Sequence, residues 1–225
     1  MQADIISIGS QNCTSMAAHM QDIGNHMQDV NILALQEVRV PASRMKAMEK
    51  ELRFEHGANV AFGEEPPKLT KQVPQARGME AHRVTTDTVK QRGVAILSSL
   101  HMPPRTEAAP GELERKLRAT SRWAEVFYPF SLGNTMAGLH VASVYAEAQA
   151  DNETLFMDAL TAAARLGNAP YAICMDANVD ITASNVLSLA IESGRWHNAA
   201  EGAESEDARS CQLCAPLCWF AVIIC

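Results

Sequence analysis

Ala172-Ile173-Cys174-Met175-Asp176-Ala177-Asn178-Val179-Asp180 decides how this chain is read. It begins as a short apolar run of the kind that forms a buried strand, Tyr171 to Met175, and ends on an acid, an alanine and an amide. Side chains two apart on a strand share a face, so Asp176 and Asn178 point toward one pocket. An ionised carboxylate only accepts hydrogen bonds, whereas an amide also donates. Side by side, the two can align a water and donate to a phosphate oxygen. The plainer reading is a turn, which Asp and Asn favour. Within this stretch alone the two stand level.

Working outward, the same pattern recurs at Asn31-Ile32-Leu33-Ala34-Leu35-Gln36-Glu37. A second buried strand, Asn31 to Leu35, delivers a carboxylate at its mouth. Mg²⁺ takes oxygen ligands and often needs only one or two protein carboxylates plus phosphate oxygens, which suits Glu37. Taken alone, a solvated loop glutamate is the commoner case. Asn12 follows a first strand, Asp4 to Ile8, and can bond a metal-bound water or a phosphate, or else cap a helix. Tyr145 ends another apolar strand, where its hydroxyl can reach a phosphate, or else it is a half-buried core tyrosine.

The rest of the chain supplies strands and helices in alternation. Thr14 or Ser15 caps a helix to about Asp29, with Met16, His19, Met20, Ile23 and Met27 at helical spacing. A helix starts at Pro41 and runs through Leu52. Residues 63 to 90 read as a loop or hairpin, Gly93 to Leu97 as a strand, and Met102 to Gly111, with its prolines, as a loop. Trp123 to Phe130 and Met136 to Tyr145 pair about a turn at Gly133-Asn134. Helices follow at Asn152 to Leu166, closed by Gly167, and at Ala183 to Ser193, closed by Gly194. No repeat or interdomain linker is visible. The pattern is α/β, with sheets beneath helices and polar residues gathered where strands end.

Composition narrows the functions. In 225 residues, 47% are hydrophobic and 20% charged, with no long biased run, which excludes a disordered, collagenous or coiled-coil chain. The net charge of −7 excludes nucleic-acid binding by charge alone, though not chemistry on phosphates with the help of a divalent cation. Aromatic residues, at 5%, are too few for a stacking platform along a single strand. Only Cys13 and Cys174 precede Cys211, Cys214, Cys218 and Cys225, so the body reads as a chain from a reducing compartment. Met1 to Gly9 lacks the features of a signal peptide. The apolar tail Pro216 to Cys225 is about half the ~20 residues of a helical membrane span. The expectation is an intracellular protein of nucleus or cytoplasm, not secreted and without a membrane partner. The seven histidines show no metal spacing, and His140, within a strand, reads as a satisfied core residue. The tail cysteines are compact and lack the two separated knuckles of a structural zinc site. Signatures of P-loop, Rossmann and α/β-hydrolase sites are missing.

Taken in order, these segments resemble the endonuclease/exonuclease/phosphatase superfamily, whose fold is that of deoxyribonuclease I. The matching pieces are the first strand leading to Asn12, Asn31 to Glu37, Arg92-Gly93-Val94-Ala95-Ile96-Leu97-Ser98, Val144-Tyr145 followed by Asn152 and a helix, and Asp176-Ala177-Asn178. Ser193-Gly194-Arg195-Trp196-His197-Asn198 looks like the segment that follows in endonucleases of this group, including those of non-LTR retroelements. The resemblance implies a deoxyribonuclease-I-like α/β sandwich of two mixed sheets flanked by helices. It implies that Glu37 ligates Mg²⁺ (or Mn²⁺) with Asn12 helping to place metal or phosphate. Asp176 would orient the attacking water, and Asn178 and Tyr145 would contact the phosphate. The partner implied is a nucleic acid.

Two departures qualify the match. The family's Gly-Asp-Phe-Asn is here Met175-Asp176-Ala177-Asn178, so acid and amide remain while their packing differs. The family's closing Asp strand and Ser-Asp-His have no counterpart, and after residue 205 the sequence matches no family element. The expectation is therefore an incomplete domain over residues 1–205, truncated before its last strands, and an atypical Cys-rich apolar tail over 206–225. Three functions remain open: a Mg²⁺-dependent endonuclease impaired by the missing Asp-His, a phosphatase of phosphoinositides or other small phosphoesters, and a non-catalytic decayed fragment. Arg39, Arg44, Lys68, Lys71, Arg77, Arg83, Lys90 and Arg92, in or beside the predicted loops, lean toward the first.

Overall fold

Side chains alternating between two covered faces along the strands build two sheets with a shared interior. The computed structural model describes residues 6–64, 93–105, 110–132, 135–167 and 169–199. The first sheet holds β1 (Ile8–Asn12), β2 (Ile32–Gln36), β3 (Ala58–Phe62) and β4 (Val94–Ser99) in the order β1-β2-β4-β3. β1 and β2 are parallel, and β4 runs antiparallel to β2 and β3. The second sheet holds β5 (Trp123–Leu132), β6 (Thr135–Tyr145) and β7 (Tyr171–Asp176), with β5 antiparallel and β7 parallel to β6.

Side chains two apart sort onto opposite faces. Ile32, Ala34, Val94 and Ile96 face inward and meet Val126, Tyr128, Val141, Ala172 and Cys174 of the second sheet. Leu33, Leu35, Ala95 and Leu97 face outward, beneath α1 (Met20–Asp29) and α2 (Ala42–Glu55), which bury Ile23, Met27, Met48 and Leu52. On the far side Trp123, Ala142, Val144, Ile173 and Met175 pack under α4 (Glu153–Ala164), flanked by α3 (Glu112–Arg118) and α5 (Asn185–Glu192). The result is the expected α/β sandwich of two mixed sheets flanked by helices.

Several elements differ from the sequence reading. The first described strand is Ile8–Asn12, continuing past Ile8 where the expected strand ends, because pairing with β2 runs on through Ser10, Gln11 and Asn12 at a half-buried edge; Asp4 and Ile5 of the expected strand fall outside the described residues. The helix expected from Thr14 or Ser15 is split into a 3₁₀ turn at Met16–Ala18 and α1. The helix expected from Ala183 is likewise a 3₁₀ turn, Ile181–Ala183, followed by α5, whose Leu187 N–H donates to Ser184 Oγ. The helix expected to begin at Pro41 and end at Leu52 starts at Ala42 and continues to Glu55. Strand β3 and helix α3 were not anticipated. Gly167 and Gly194 do follow their helices with φ of +68°, the left-handed cap conformation that glycine favours. The expected boundary at 205, the tail over 206–225 with its truncation, the turn at Gly133-Asn134 and the greater part of the loop over 63–90 fall outside the described residues. Among the described residues no helix is long and apolar enough to cross a membrane.

Candidate active site

Each sheet contributes one parallel pair, and all four of those strands end at the same edge of the sandwich. In the first sheet Asn12 lies opposite Gln36, so Glu37 leaves β2 beside it. In the second, Tyr145 lies opposite Asp176. The two pairs are joined across the layers by Asn12, whose Nδ2 donates to Asp176 Oδ2 at 2.7 Å, and by Tyr145, whose hydroxyl donates to Glu37 Oε1 at 2.7 Å. Asn178 N–H donates to Asp176 Oδ1 at 3.3 Å, and Asn178 Nδ2 donates to Ala146 O at 2.6 Å. Asn12, Glu37, Tyr145, Asp176 and Asn178, the residues singled out in the sequence, are therefore all brought together.

Two further residues complete the arrangement. Arg39 Nη2 donates to Glu37 Oε2 at 2.7 Å, so both oxygens of that carboxylate are held. Arg39 stands two positions after Glu37, and its charge read in sequence only as part of a basic cluster. Arg44 lies in the first turn of α2, and the cluster's members from Lys68 to Arg92 fall outside the described residues. Gln36 is 1% exposed, and its Nε2 donates to Ser10 Oγ, Ser143 Oγ and the Cys174 carbonyl beneath the site. Nothing in sequence separates this glutamine from a surface one.

The backbone turns sharply where the strands end. Thr14, Glu37, Arg39 and Asn178 all have positive φ, between +49° and +53°. Such conformations cost about 1–3 kcal/mol each, persist only when their surroundings hold them, and gather at functional sites. Burial pushes the Asp176 carboxyl above its ordinary value and the Glu37 charge adds to this, while the bonds from Asn12 and Asn178 oppose it. Burial, then the bond to Glu37, pushes the Tyr145 phenol up. Burial likewise lifts the Cys13 thiol to about 12. His140 is a partnered histidine as expected, its Nδ1 3.2 Å from Glu125 Oε1, and His197 is exposed. No group of three or more His, Cys, Asp or Glu with metal-holding geometry occurs among the described residues.

Parallel strand pairs from two mixed sheets, ending together on acids and amides with helices outside, define the deoxyribonuclease-I-like fold of endonuclease/exonuclease/phosphatase proteins. Solved structures agree at the level of fold. An AP endonuclease from Archaeoglobus fulgidus matches with a TM-score of 0.55 and 14% identity, over 98% of this chain and 86% of that one. The endonuclease domain of TRAS1, a telomere-specific non-LTR retrotransposon, matches at 0.52 and 10%, over 87% and 73%. A truncated Caenorhabditis elegans TDP2 matches at 0.51 and 13%, over 97% and 83%. No protein-family model matches the sequence, and no curated protein does either.

Proposed function

We propose that this chain is a divalent-metal-dependent phosphodiesterase that cleaves nucleic acid in the manner of an endonuclease. The observation that carries this reading is the meeting of Asn12, Glu37, Tyr145, Asp176 and Asn178 at one edge of the sandwich, with two carboxylates among amide donors. The AP endonuclease and the TRAS1 endonuclease domain, which share the fold, add support.

In this reading Asp176 accepts a hydrogen bond from the attacking water and orients it. Asn12 Nδ2 and Asn178 N fix one oxygen each, so the carboxylate plane is set before water arrives. The burial that raises its pKa also makes it a better proton acceptor. The Asn178 amide donates to Ala146 O and also steadies the Asp176 carboxyl, and from there it reaches a phosphoryl oxygen beside that carboxylate. Tyr145 donates its hydroxyl hydrogen bond to Glu37 and so acts first as a positioning residue for that carboxylate; a direct phosphate contact requires that bond to be released.

The donor set fits Mg²⁺ or Mn²⁺. Glu37 keeps a lone pair on each oxygen after Tyr145 and Arg39 are satisfied, and Asn12 Oδ1 adds an amide oxygen, all hard ligands. Held by Glu37 and Asn12, the ion would supply charge neutralisation at the scissile phosphate and stabilisation of the leaving oxygen. No described histidine hydrogen-bonds Asp176, so no residue is assigned to the family's Asp-His pair.

The test is nicking of supercoiled plasmid alongside hydrolysis of p-nitrophenyl phosphate. Nicking should require Mg²⁺ or Mn²⁺, stop in EDTA, and slow by about 10²–10⁴ in Asp176→Asn and in Glu37→Gln. Equal rates in EDTA, or rates untouched by both substitutions, overturn the reading. Hydrolysis of the monoester with intact plasmid moves the assignment to a small-phosphoester phosphatase on the same fold.

A further inference from the structure

A cavity of about 280 Å³ opens on the helix-facing side of the second sheet, lined by Arg105, Arg118, Glu125, Phe127, His140 and Leu166. It lies far from the candidate active site. His140 precedes Tyr145 by five residues on β6 and faces the opposite side of the sheet, a separation of roughly 17 Å along the strand. Glu125, Phe127 and His140 form its floor, with Phe127 opposite His140 in the strand register. Arg118 ends α3, Leu166 follows α4, and Arg105 is carried on a backbone bridge to Phe127.

The charges in this cavity do not balance. Glu125 is engaged by His140 at 3.2 Å, and both side chains are largely buried. Among the described residues neither the Arg105 nor the Arg118 guanidinium has a hydrogen-bond or ion-pair partner, and both face water at least in part. Each guanidinium presents a rigid fork of N–H donors matched to carboxylate and phosphate oxygens. A cationic ligand would meet both of them, with a floor carboxylate already occupied. An anion would find two free forks.

The walls add a second demand. His140 stacks parallel to Tyr171, with centroids 5.7 Å apart, and tilts against Phe127 at 4.8 Å. Phe127 and Leu166 give the cavity an apolar side. Its volume is at the small end for ligand sites, enough for one ring and an anionic head. We infer that this cavity binds a small aryl anion, a single flat ring bearing one phosphate or carboxylate, with the head on Arg105 and Arg118 and the ring against Phe127 and Leu166. The inference is independent of the activity proposed for the strand-end site.

The experiment titrates phenyl phosphate, benzoate and inorganic phosphate into the full chain in EDTA at constant ionic strength. It follows the His140 ring signal in proton NMR, assigned by its loss in His140→Gln. Phenyl phosphate or benzoate should shift the signal to saturation with a Kd below about 10 mM, and which of the two binds tighter identifies the head group. Arg105→Ala and Arg118→Ala should each weaken binding about tenfold, the loss of a charge-assisted bond. Both residues reach solvent, and circular dichroism checks that the variants fold. Asp176→Asn should leave binding unchanged, and inorganic phosphate should bind about tenfold more weakly than phenyl phosphate. The inference is overturned by a signal that fails to saturate with either aryl anion, by full affinity in the double arginine variant, by loss of binding in Asp176→Asn, or by inorganic phosphate binding as well as phenyl phosphate.

Discussion

Tyr128 shows what burial does to a single polar side chain in the middle of this fold. It is 1% exposed between the sheets, and burial lifts its phenol from the ordinary 10.0 to about 12. Between those values the folded chain keeps a proton that the unfolded chain has released. Stability from this group is therefore full below pH 10 and is lost as pH rises toward about 12. Tyr128→Phe removes that dependence, so its alkaline unfolding midpoint should lie at a higher pH than that of the unchanged protein. Phenolate absorbance and circular dichroism followed together measure this, and identical midpoints would contradict it. At the same scale the site was largely legible. Glu37, Tyr145 and Asp176 each stand where an apolar run stops, Asn178 follows two positions on, and Asn12 comes forward only through its place in the order of the segments. Arg39 and Gln36 were not legible, because their roles depend on partners met only after folding: Glu37 in a left-handed turn for one, and Ser143 and Cys174 of the other sheet for the second.

At the level of elements, Asn152 does more than start a helix. Its side chain makes no capping bond to α4. Instead Nδ2 donates to the carbonyls of Glu147 and Ala150, and Oδ1 accepts from Glu147 N and Arg122 Nη1, closing the loop after β6. The carbonyl of Ala146, one residue earlier, holds Asn178. Asn152→Ala should cost about 2–3 kcal/mol, since it removes four part-buried hydrogen bonds at once, and should slow hydrolysis about tenfold by freeing Asn178. Urea midpoints and initial rates check both, and a stability loss with an unchanged rate would show that the loop does not govern the amide. Elements were legible where burial is two-sided and the sequence runs continuously apolar, as in β2, β4 and β7, whose residues are almost all buried. The continuation of β1 past Ile8 was missed because an edge strand carrying Ser10, Gln11 and Asn12 has no such run. β3 was missed because Ala58–Phe62 is only half-buried and carries no continuous run of large apolar residues. α3 was missed because it shows a single buried residue, Leu117, among charges and follows a proline-rich segment.

For the whole molecule, the candidate site exists only while two sheets stay in register, and a buried polar tie sets that register. Gln36 at the end of β2 donates to Ser10 on β1 and, across the layers, to Ser143 on β6 and the Cys174 carbonyl on β7. Ser143 Oγ returns a bond to the Leu35 carbonyl at 2.9 Å. Apart from this tie and the Asn12–Asp176 and Tyr145–Glu37 bonds at the site, the described interlayer contact is largely aliphatic and aromatic, which favours burial without specifying alignment. Satisfied polar networks in such a setting fix one arrangement, and half-satisfied ones are costly. Gln36→Leu keeps a similar bulk, adds apolar surface and removes the donor. If burial alone held the sheets, this variant would be as stable as the parent. The tie predicts instead a loss of about 2–4 kcal/mol. It also predicts that hydrolysis fails at lower urea than secondary structure in the variant, because the Asn12–Asp176 and Tyr145–Glu37 bonds span the loosened layers. In the parent, activity and circular dichroism should share one urea midpoint, and separate midpoints there would mean that the site assembles on its loops independently of how the sheets dock.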